Sequence, residues 1–327
     1  MKIAEAVQSY WGGRAARYYD SICYLNKGKM RQALAGLLNM DVCGRVLDVG
    51  TGPGSVAEML SDAGCRSVIG VDLNRDMLTV ALDKLCGRDV RFIRADAFHL
   101  PLRTGSMDAV VSKWVLWVTP DPERAVAEMV RVTRPGGRVI AIESERSPKK
   151  KEPALRRLVF FPFRKAHRLY KYLVFRLPSS RTKEFWKNTE GRLPMHSLDR
   201  YVEIFRKQGL VEVGRTRIEE YGTPPGMLFF GGFRFSLICG TKKGDPLTSA
   251  PESQRDAGTA PGLRRDESDP QQCGGGLDGV VACPVCRTGL DKLNAAEGDS
   301  YECPDCRRRY TTEDGILELL PPHERLL

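Results

Sequence analysis

The sequence lacks any long apolar run, and this absence limits where the protein is expected to reside. No segment approaches the roughly 20 apolar residues that a helix needs to cross a bilayer. The first 20 residues, MKIAEAVQSYWGGRAARYYD, contain no apolar core of a signal peptide. We therefore expect a cytoplasmic protein whose 10 cysteines are reduced thiols and form no disulfide framework. Peripheral attachment to a membrane stays open at this stage.

Short apolar runs alternate with helical stretches over residues 45–144. The strings RVLDVG, SVIGVD, VRFIRAD, DAVVSKW and RVIAIES are typical of buried strands, and the stretches between them have helical spacing. Ser197 is expected to cap a helix over residues 197–210. The strings VEVGRTRIEE and FRFSLICGTKK are expected to close the sheet as an antiparallel edge. The pattern predicts an α/β fold with a doubly wound, mostly parallel, seven-stranded, Rossmann-like sheet.

A shift in composition divides the chain. Residues 244–279 are rich in Gly, Pro, Ser, Asp and Gln and have few large apolar side chains, which predicts a flexible linker. It separates an N-terminal domain, residues 1–243, from a short cysteine-bearing domain, residues 280–327.

The loop after the first strand, LDVGTGPG, has the pattern of a ligand-binding turn. Its glycines allow the backbone to approach a ligand closely, and their G-x-G-x-G spacing differs from the G-x-G-x-x-G of dinucleotide folds. Asp72 ends the second strand, where a carboxylate can accept hydrogen bonds from ribose hydroxyls, and Asp96 and Ala97 follow the third strand. Because the carboxyl ends of parallel strands share one edge of a sheet, these residues are expected to form one site.

The strings LDVGTGPG, VIGVDLNRDML, RADAFHLPL, SMDAVVSKWVLWV and EMVRVTRPGGRVI together resemble class I S-adenosylmethionine-dependent methyltransferases. The closest likeness is to the group that includes the ubiquinone/menaquinone C-methyltransferases, and it covers residues 1–243. The resemblance implies S-adenosyl-L-methionine as cofactor, with Asp48 orienting the glycine loop. The implied contacts are Gly50, Gly52 and Gly54 with the methionine part, Asp72 with the ribose, and Asp96 and Ala97 with the adenine. Leu73, Lys113 and Tyr19 are further implied cofactor-binding residues.

The segment YWGGRAARYYD resembles the N-terminal lid of the same group. Tyr18 and Tyr19 are therefore expected to cover the cofactor, and packing between helices is an equal alternative for both.

The fourth strand lacks two motifs that would indicate particular methyl acceptors. It carries neither the Asn/Asp-Pro-Pro-Tyr motif of many amino-methyltransferases nor a Pro-Cys pair of RNA 5-methylcytosine enzymes. Within the resemblance, O-, C- or S-methylation of a small molecule and methylation of certain RNAs remain. His99 and His196 are the candidate general bases, although a lone histidine is more often a surface or capping residue.

Acidic residues are scarce in one segment of a chain whose net charge is +10. Residues 146–187 contain only Glu152 and Glu184, while LRRLVFFPFRKAHRLYKYLVFRLP interleaves basic with aromatic and aliphatic residues. We expect a helical insertion over about residues 146–196 that covers the pocket. A helix lying on an anionic membrane and a surface that holds nucleic acid are the alternatives.

Four cysteines near the C-terminus have the spacing of a tetrahedral zinc site. Cys283 and Cys286 form one C-x-x-C pair, and Cys303 and Cys306 form a second pair after residues 287–302. Four thiolates would saturate Zn²⁺, so the site is predicted to be structural. Residues 280–322 also resemble the zinc ribbon of a small activator subunit that binds tRNA, ribosomal RNA and release-factor methyltransferases. This resemblance implies that the ribbon contacts the catalytic domain of its own chain.

The leading hypothesis is a methyltransferase with a small apolar or lipid-like acceptor and a structural zinc ribbon in cis. The alternative is an RNA methyltransferase with a fused activator. A cofactor-binding regulator whose ribbon recruits a partner is a third hypothesis, and the oligomeric state stays open.

Overall fold

The computed structural model places the N-terminal domain and the cysteine-bearing domain against each other. The described residues are 3–22, 27–38, 44–144, 154–177, 180–189, 193, 196–219, 234–244, 277–293 and 299–322. Residues 245–276 of the predicted linker, and residues 145–153, 178–179, 190–192 and 194–195 of the predicted insertion, lie outside them.

Seven strands of the N-terminal domain form one sheet. They are β1 (Arg45–Val49), β2 (Ser67–Asp72), β3 (Val90–Arg94), β4 (Met107–Lys113), β5 (Thr133–Ser144), β6 (Leu210–Glu219) and β7 (Arg234–Lys242). Their order in the sheet is β6-β7-β5-β4-β1-β2-β3. Neighbouring strands are parallel except at β7, which runs antiparallel to both β5 and β6. The predicted doubly wound, mostly parallel sheet is confirmed.

The order of the strands reverses between β1 and β4. From β1 the chain builds β2 and β3 on one side and then returns to build β4 and β5 on the other. In open α/β sheets such a switch point leaves a crevice at the carboxyl ends of the strands, where ligands bind.

Helices cover both faces of the sheet. The described helices are α1 (Ile3–Trp11), α2 (Arg14–Ile22), α3 (Lys27–Leu38), α4 (Ser55–Asp62), α5 (Arg75–Leu85), α6 (Pro122–Val132), α7 (Ala154–Phe175), α8 (Ser180–Thr189) and α9 (Leu198–Lys207). On one face of the sheet, α3, α4 and α5 pack against a core cluster that includes Val46, Val68 and Ile140. On the other face, α6 and α9 pack against a cluster that includes Leu47, Ile69 and Val139.

Side-chain caps fix where several helices begin. Asn74 caps α5 by accepting a hydrogen bond from the Met77 N–H at 3.2 Å. Ser197 caps α9 through the Arg200 N–H at 3.2 Å, which confirms the predicted start of this helix. Each cap satisfies a backbone donor that has no partner inside the helix and is worth about 1 kcal/mol.

The fifth strand begins earlier than its apolar run suggests. β5 starts at Thr133, which pairs with Met107, and the register shifts between Met107 and Ala109. The Pro-Gly-Gly turn therefore lies inside β5, at an irregular stretch that periodicity does not reveal.

The C-terminal domain adds four short strands to the sheet. These are β8 (Asp291–Leu293), β9 (Ser300–Glu302), β10 (Arg309–Glu313) and β11 (Ile316–Glu318). β10 and β11 are joined by Asp314 and Gly315, both at positive φ (48° and 76°), as in two-residue hairpin loops. β11 then pairs in parallel with β3, so the described strands form one 11-stranded sheet.

Apolar packing and an ion-pair cluster hold the ribbon against β3. Ile316, Leu317 and Leu319 are fully or almost fully buried, and the Leu319 N–H donates to the Arg94 carbonyl at 3.0 Å. Burying each such side chain contributes about 1.5–3 kcal/mol. The contact between the ribbon and the N-terminal domain of its own chain was expected from the resemblance, whereas the pairing of β11 with β3 was not.

Arg75, at the start of α5, faces three acidic residues of the ribbon. Its guanidinium lies 2.7 Å from Glu313, 2.9 Å from Asp314 and 2.7 Å from Glu318. The Glu318 side chain is the least exposed of the three acids, at 19%, so we expect its pair to contribute most.

Candidate cofactor and metal sites

A cavity opens at the carboxyl ends of β1 to β4, on the crevice that the switch point creates. Its volume is about 210 Å³. The walls come from the loops after these strands and from α1 and α2, which lie across the opening. Most of the lining side chains are apolar, and two carboxylates, Asp72 and Asp96, stand at or just after strand ends.

The glycine loop after β1 forms the floor of the cavity. Gly50 has φ +66°, and a Cβ there would lie 2.3 Å from Val115, so a side chain would collide with the opposite wall. Gly52 has φ +53° and no atom within 4 Å of a Cβ, so this position faces open space in the cavity wall. Gly54 differs, because its Cβ would meet Ala81 and Leu85 of α5 and it does not line the cavity.

Asp48 lies beneath the loop and is completely buried. Its Oδ2 accepts hydrogen bonds from the Thr51 hydroxyl at 2.7 Å and the Ala57 N–H at 3.1 Å. Burial raises the pKa of Asp48 to about 7 despite these donors. Its Oδ1 has no partner among the described residues, and the residue lies behind the lining of the cavity.

Asp72 connects the end of the second strand with the glycine loop and with the loop that begins α5. Its Oδ2 accepts from the Gly52 N–H and its Oδ1 from the Asn74 N–H, both at 2.9 Å. Burial raises the pKa of Asp72 above its usual value. Each carboxylate oxygen retains a further lone pair, so the pair of oxygens can still accept two hydroxyl donors.

Asp96 occupies the corresponding place after β3. Its Oδ1 accepts from the Phe98 N–H at 3.0 Å, which fixes the carboxyl group at the cavity wall. The His99 ring lies behind it, with Nδ1 3.5 Å from the other oxygen of Asp96 and Nε2 2.5 Å from the Arg124 guanidinium. His99 itself does not line the cavity.

The end of β4 supplies a cation and a strained aromatic residue. Lys113 and Trp114 both line the cavity, and the Lys113 Nζ lies 5.1 Å from the centre of the Trp114 ring. Trp114 has φ +59°, which costs roughly 1–2 kcal/mol for a residue with a side chain. The backbone N–H of Trp114 donates to the Ile142 carbonyl at 3.0 Å, which connects this turn to β5.

The two helices at the N-terminus form a lid that is tied to the second strand. The Asn74 side chain donates to the Gln8 carbonyl at 2.8 Å, and the Gly13 N–H donates to Asp76 at 2.5 Å. Trp11 and Tyr19 line the cavity with their rings 4.2 Å apart.

Tyr18 points away from the cavity. It is buried against Ala15 and Leu177, and its ring lies 5.5 Å from that of Phe175. Burial raises the pKa of Tyr18 to about 12.

The structure thus brings most of the predicted cofactor residues to one cavity. The lining residues among them are Tyr19, Gly50, Gly52, Asp72, Leu73, Asp96, Ala97 and Lys113. Asp48 and Gly54 support the loop from behind, while His99 and His196 lie outside the lining. His196 is half-buried just before α9, its ring 5.9 Å from that of Tyr201. The roles assigned to these residues remain predictions.

Several lining residues were missed by sequence reasoning. They are Val7, Gln8, Trp11, Thr51, Ser55, Met77, Phe98 and Trp114, among others. Two of them carried a signal in the sequence: Trp11 precedes the glycine pair of the predicted lid, and Trp114 directly follows the fourth strand. The apolar residues of helices carry no such signal, because core packing requires the same residue types.

The four cysteines of the ribbon converge on one point. Their sulfur atoms all lie within 4.8 Å of one another, and the sulfurs of Cys283 and Cys306 are 3.8 Å apart. A tetrahedral site with Zn–S bonds of about 2.3 Å has edges of about 3.8 Å. The arrangement therefore fits a zinc ion.

The two cysteine turns have the same backbone geometry. Arg287 and Arg307, the residues that follow the two pairs, have φ +63° and +58°, and each N–H donates to the carbonyl of the first cysteine of its pair at 2.8–2.9 Å. The Tyr310 hydroxyl lies 3.2 Å from the sulfur of Cys283.

Comparisons with known proteins find similarity to methyltransferases. Residues 47–141 match the family described as "Methyltransferase domain". The chain is 40% identical over 108 residues to a demethylmenaquinone methyltransferase of Thermus thermophilus, which covers 32% of this chain and 49% of the relative. It is 27% identical over 172 residues to a ubiquinone/menaquinone biosynthesis C-methyltransferase of Desulfotalea psychrophila, which covers 52% of this chain and 67% of the relative. The chain spans about half the length of the first curated relatives that it matches.

A solved structure shares the fold. The phosphoethanolamine N-methyltransferase 2 of Haemonchus contortus, in complex with S-adenosyl-L-methionine, aligns with a TM-score of 0.53 at 16% identity, covering 75% of this chain and 60% of that one. At this identity the likeness shows the fold alone. The match to the methyltransferase domain covers residues 47–141, which span β1 to β5, and the shared fold agrees with that match.

Proposed function

We propose that the protein transfers a methyl group from S-adenosyl-L-methionine to a small, apolar or lipid-like acceptor. The observation that carries the proposal is the cavity at the switch point, where carboxylates stand at or just after the ends of two strands, β2 and β3, and mostly apolar and aromatic side chains line the remaining wall. The names of the curated relatives, which are quinone methyltransferases, support an acceptor of this class.

When bound, the cofactor would supply a methyl group on a positively charged sulfur: the acceptor atom would bond to the methyl carbon as the carbon–sulfur bond breaks, and the sulfur would leave as a neutral thioether. The residues of the chain would bind the cofactor and orient it toward the acceptor. Asp72 would accept the ribose hydroxyls, Asp96 would face the adenine, and Asp48 would hold the glycine loop in place from behind through Thr51 and Ala57. Gly54 offers no side-chain cap to α4, and Asp48 accepts from only one N–H of this helix, that of Ala57, so the first N–H groups of the helix would hold the carboxylate of the methionine part.

The lid and the end of β4 would position the acceptor. Trp11 and Trp114 offer aromatic surface, and the ties from Asn74 and Asp76 hold the lid near the cofactor residues. Holding two reactants in line can supply several kcal/mol of the activation barrier without a protein nucleophile. An apolar acceptor would also displace water from the cavity.

We further propose that the ribbon, residues 280–327, binds one structural Zn²⁺ and stabilises the methyltransferase domain, residues 1–243. The sulfur distances support the metal, and the pairing of β11 with β3 supports the stabilising role. Four thiolates leave no open coordination position, so the ion would not take part in methyl transfer.

The test is a methyl-transfer assay with the full chain and cofactor labelled in its methyl group. A demethylated isoprenoid quinol in detergent and total tRNA serve as parallel acceptors. We expect label in the lipid fraction with the wild type and the Asp62→Asn control, and none with Asp72→Asn. Asp62 is an exposed carboxylate at the end of α4, outside the cavity lining. Absence of label from lipid acceptors of every ring type would reject the proposed acceptor class.

RNA methylation is a second candidate because of one feature of the ribbon. Arg307, Arg308 and Arg309 are all exposed on its surface, where they could contact phosphates. Two of them already pair with Glu302, which reduces the charge available to RNA. Label in the tRNA fraction, lost on Arg308→Gln, would favour this function.

A further inference from the structure

Exposed apolar side chains are concentrated on a single helix. Seven large apolar residues are exposed among those whose side chains the structure describes, and six of them lie on α7. These six are Phe161, Leu169, Tyr170, Tyr172, Leu173 and Val174, each 49–57% exposed. The seventh is Val211 on β6. Apolar surface gathered in this way marks a contact surface, whereas scattered exposure does not.

Four of these six residues form one face of the helix, about 140° wide, with Arg168 and Lys171 on the opposite side. Leu169 and Leu173 are four residues apart, as are Tyr170 and Val174, so the two pairs lie side by side along the helix. Among the described helices none is long and apolar enough to cross a membrane. A helix with one apolar face and a charged opposite face can instead lie in the plane of a bilayer interface.

Positive charge accompanies the apolar face. The sequence of α7 contains six Arg or Lys residues and no Asp or Glu. Lys165 and Arg168 are exposed on the helix, and Arg176, which follows its end, is exposed as well. Basic residues beside an apolar face are complementary to anionic lipid headgroups above an acyl layer.

The helix is attached to the lid of the cavity. The ring of Phe175 lies 5.5 Å from that of Tyr18, and the Nζ of Lys171 lies 4.3 Å from the centre of the same Tyr18 ring. The next residue, Tyr19, lines the cavity. If α7 binds to a surface, the mouth of the cavity would therefore lie next to that surface.

From these observations we propose that α7 docks the protein on an anionic lipid bilayer, with its apolar face among the acyl chains and its basic residues at the headgroups. The proposal deepens the proposed function, since it explains how a lipid-like acceptor reaches the cavity. It does not require that methyl transfer occurs. The charge favours lipid over a second copy of the chain, because two α7 helices would bring like charges together. It favours lipid over RNA, because RNA would leave the exposed Leu and Val side chains in water.

The experiment measures co-flotation of the full chain with vesicles, without cofactor or acceptor. Vesicles of phosphatidylcholine alone are compared with vesicles containing 30 mol% phosphatidylglycerol, a composition chosen to give an anionic surface of roughly the strength that attracts basic segments. We expect binding to the anionic vesicles that falls with added salt. Each basic residue near such a surface contributes about 1 kcal/mol, or roughly fivefold, so Lys165→Gln with Arg176→Gln should weaken partitioning about 25-fold.

The apolar face is tested by Leu169→Glu with Leu173→Glu, and Val211→Glu is the matched control. We expect flotation of the double variant to fall to background and the control to float as the wild type does. Calorimetric cofactor binding verifies that each variant is folded. Equal flotation of the double variant and the control would overturn the proposal, as would equal binding to both vesicle types. A dimer in sedimentation velocity that the double variant loses would assign the face to a second copy instead.

Discussion

Glu318 of the ribbon links the C-terminal domain to the cofactor cavity, and its replacement by Gln tests that link. Its carboxylate lies 2.7 Å from Arg75 and 3.3 Å from Arg94. The Arg94 Nε donates to the Leu73 carbonyl at 3.1 Å, and Leu73 lines the cavity. Glu318→Gln keeps the shape of the side chain and removes its charge.

The magnitude follows from burial and charge. The Glu318 side chain is 19% exposed, and those of Arg75 and Arg94 are 29% and 25% exposed. A hydrogen bond to a charged group contributes about 1.5–3 kcal/mol, and solvent at these positions reduces the net value. We expect a loss of about 1–2 kcal/mol in ribbon docking, which is about a fivefold to thirtyfold change in the docking equilibrium.

Two assays report the loss at different places. Hydrogen exchange at Leu319, whose N–H donates to Arg94, reports undocking of β11 and should accelerate about fivefold to thirtyfold. Calorimetric titration with S-adenosyl-L-methionine reports the cavity. Changes along a contact network alter coupling by about 0.5–2 kcal/mol, so cofactor affinity should fall at least about twofold.

Glu313→Gln is the matched control. Glu313 contacts the same arginine at 2.7 Å, but its side chain is 59% exposed, so its replacement should cost less than about 0.5 kcal/mol. If the two variants have the same exchange rate at Leu319, the reasoning from burial is wrong. Faster exchange with unchanged cofactor affinity would show that the ribbon docks without influencing the cavity.

Three further predictions concern the cavity and the metal site. Gly52→Asp places a carboxylate in the open wall of the cavity and should abolish cofactor binding in calorimetry, whereas Gly52→Ala should retain most of it. The folded-state pKa of Asp48, about 7, lies above its ordinary value of 3.8, so ionising it costs stability as the pH rises between these values. Between pH 4 and 7, the free energy of unfolding of Asp48→Asn, measured with urea, should therefore rise relative to that of the wild type by roughly 1.4 kcal/mol per pH unit. If the two free energies change with pH in parallel, the raised pKa of Asp48 is contradicted. Cys303→Ser should release zinc, measured by metal analysis, and speed exchange throughout residues 299–322, while Cys86→Ser, an exposed cysteine outside the site, should do neither.

The sequence by itself determined the central sheet, because apolar runs identify its strands and acidic residues stand at or near the carboxyl ends of three of them. Buried strands read as short apolar runs, and Asp48, Asp72 and Asp96 each stand at or near the end of one. Since parallel strands share an edge, their order along the chain was enough to place these carboxylates around one crevice. The metal site could also be predicted from the sequence, because the four cysteines form two C-x-x-C pairs at the spacing of tetrahedral zinc sites.

Tertiary structure alone decided how these parts meet. Gly54 has the same local pattern as Gly52, yet it supports α5, because the direction of its missing side chain depends on the turn as a whole. Tyr18 and Tyr19 are neighbours in sequence and diverge, one into the contact with α7 and one into the cavity, since successive residues on a helix point about 100° apart. The addition of β11 to the edge of β3 joins residues more than 200 positions apart, and no local pattern in the chain records such a pairing.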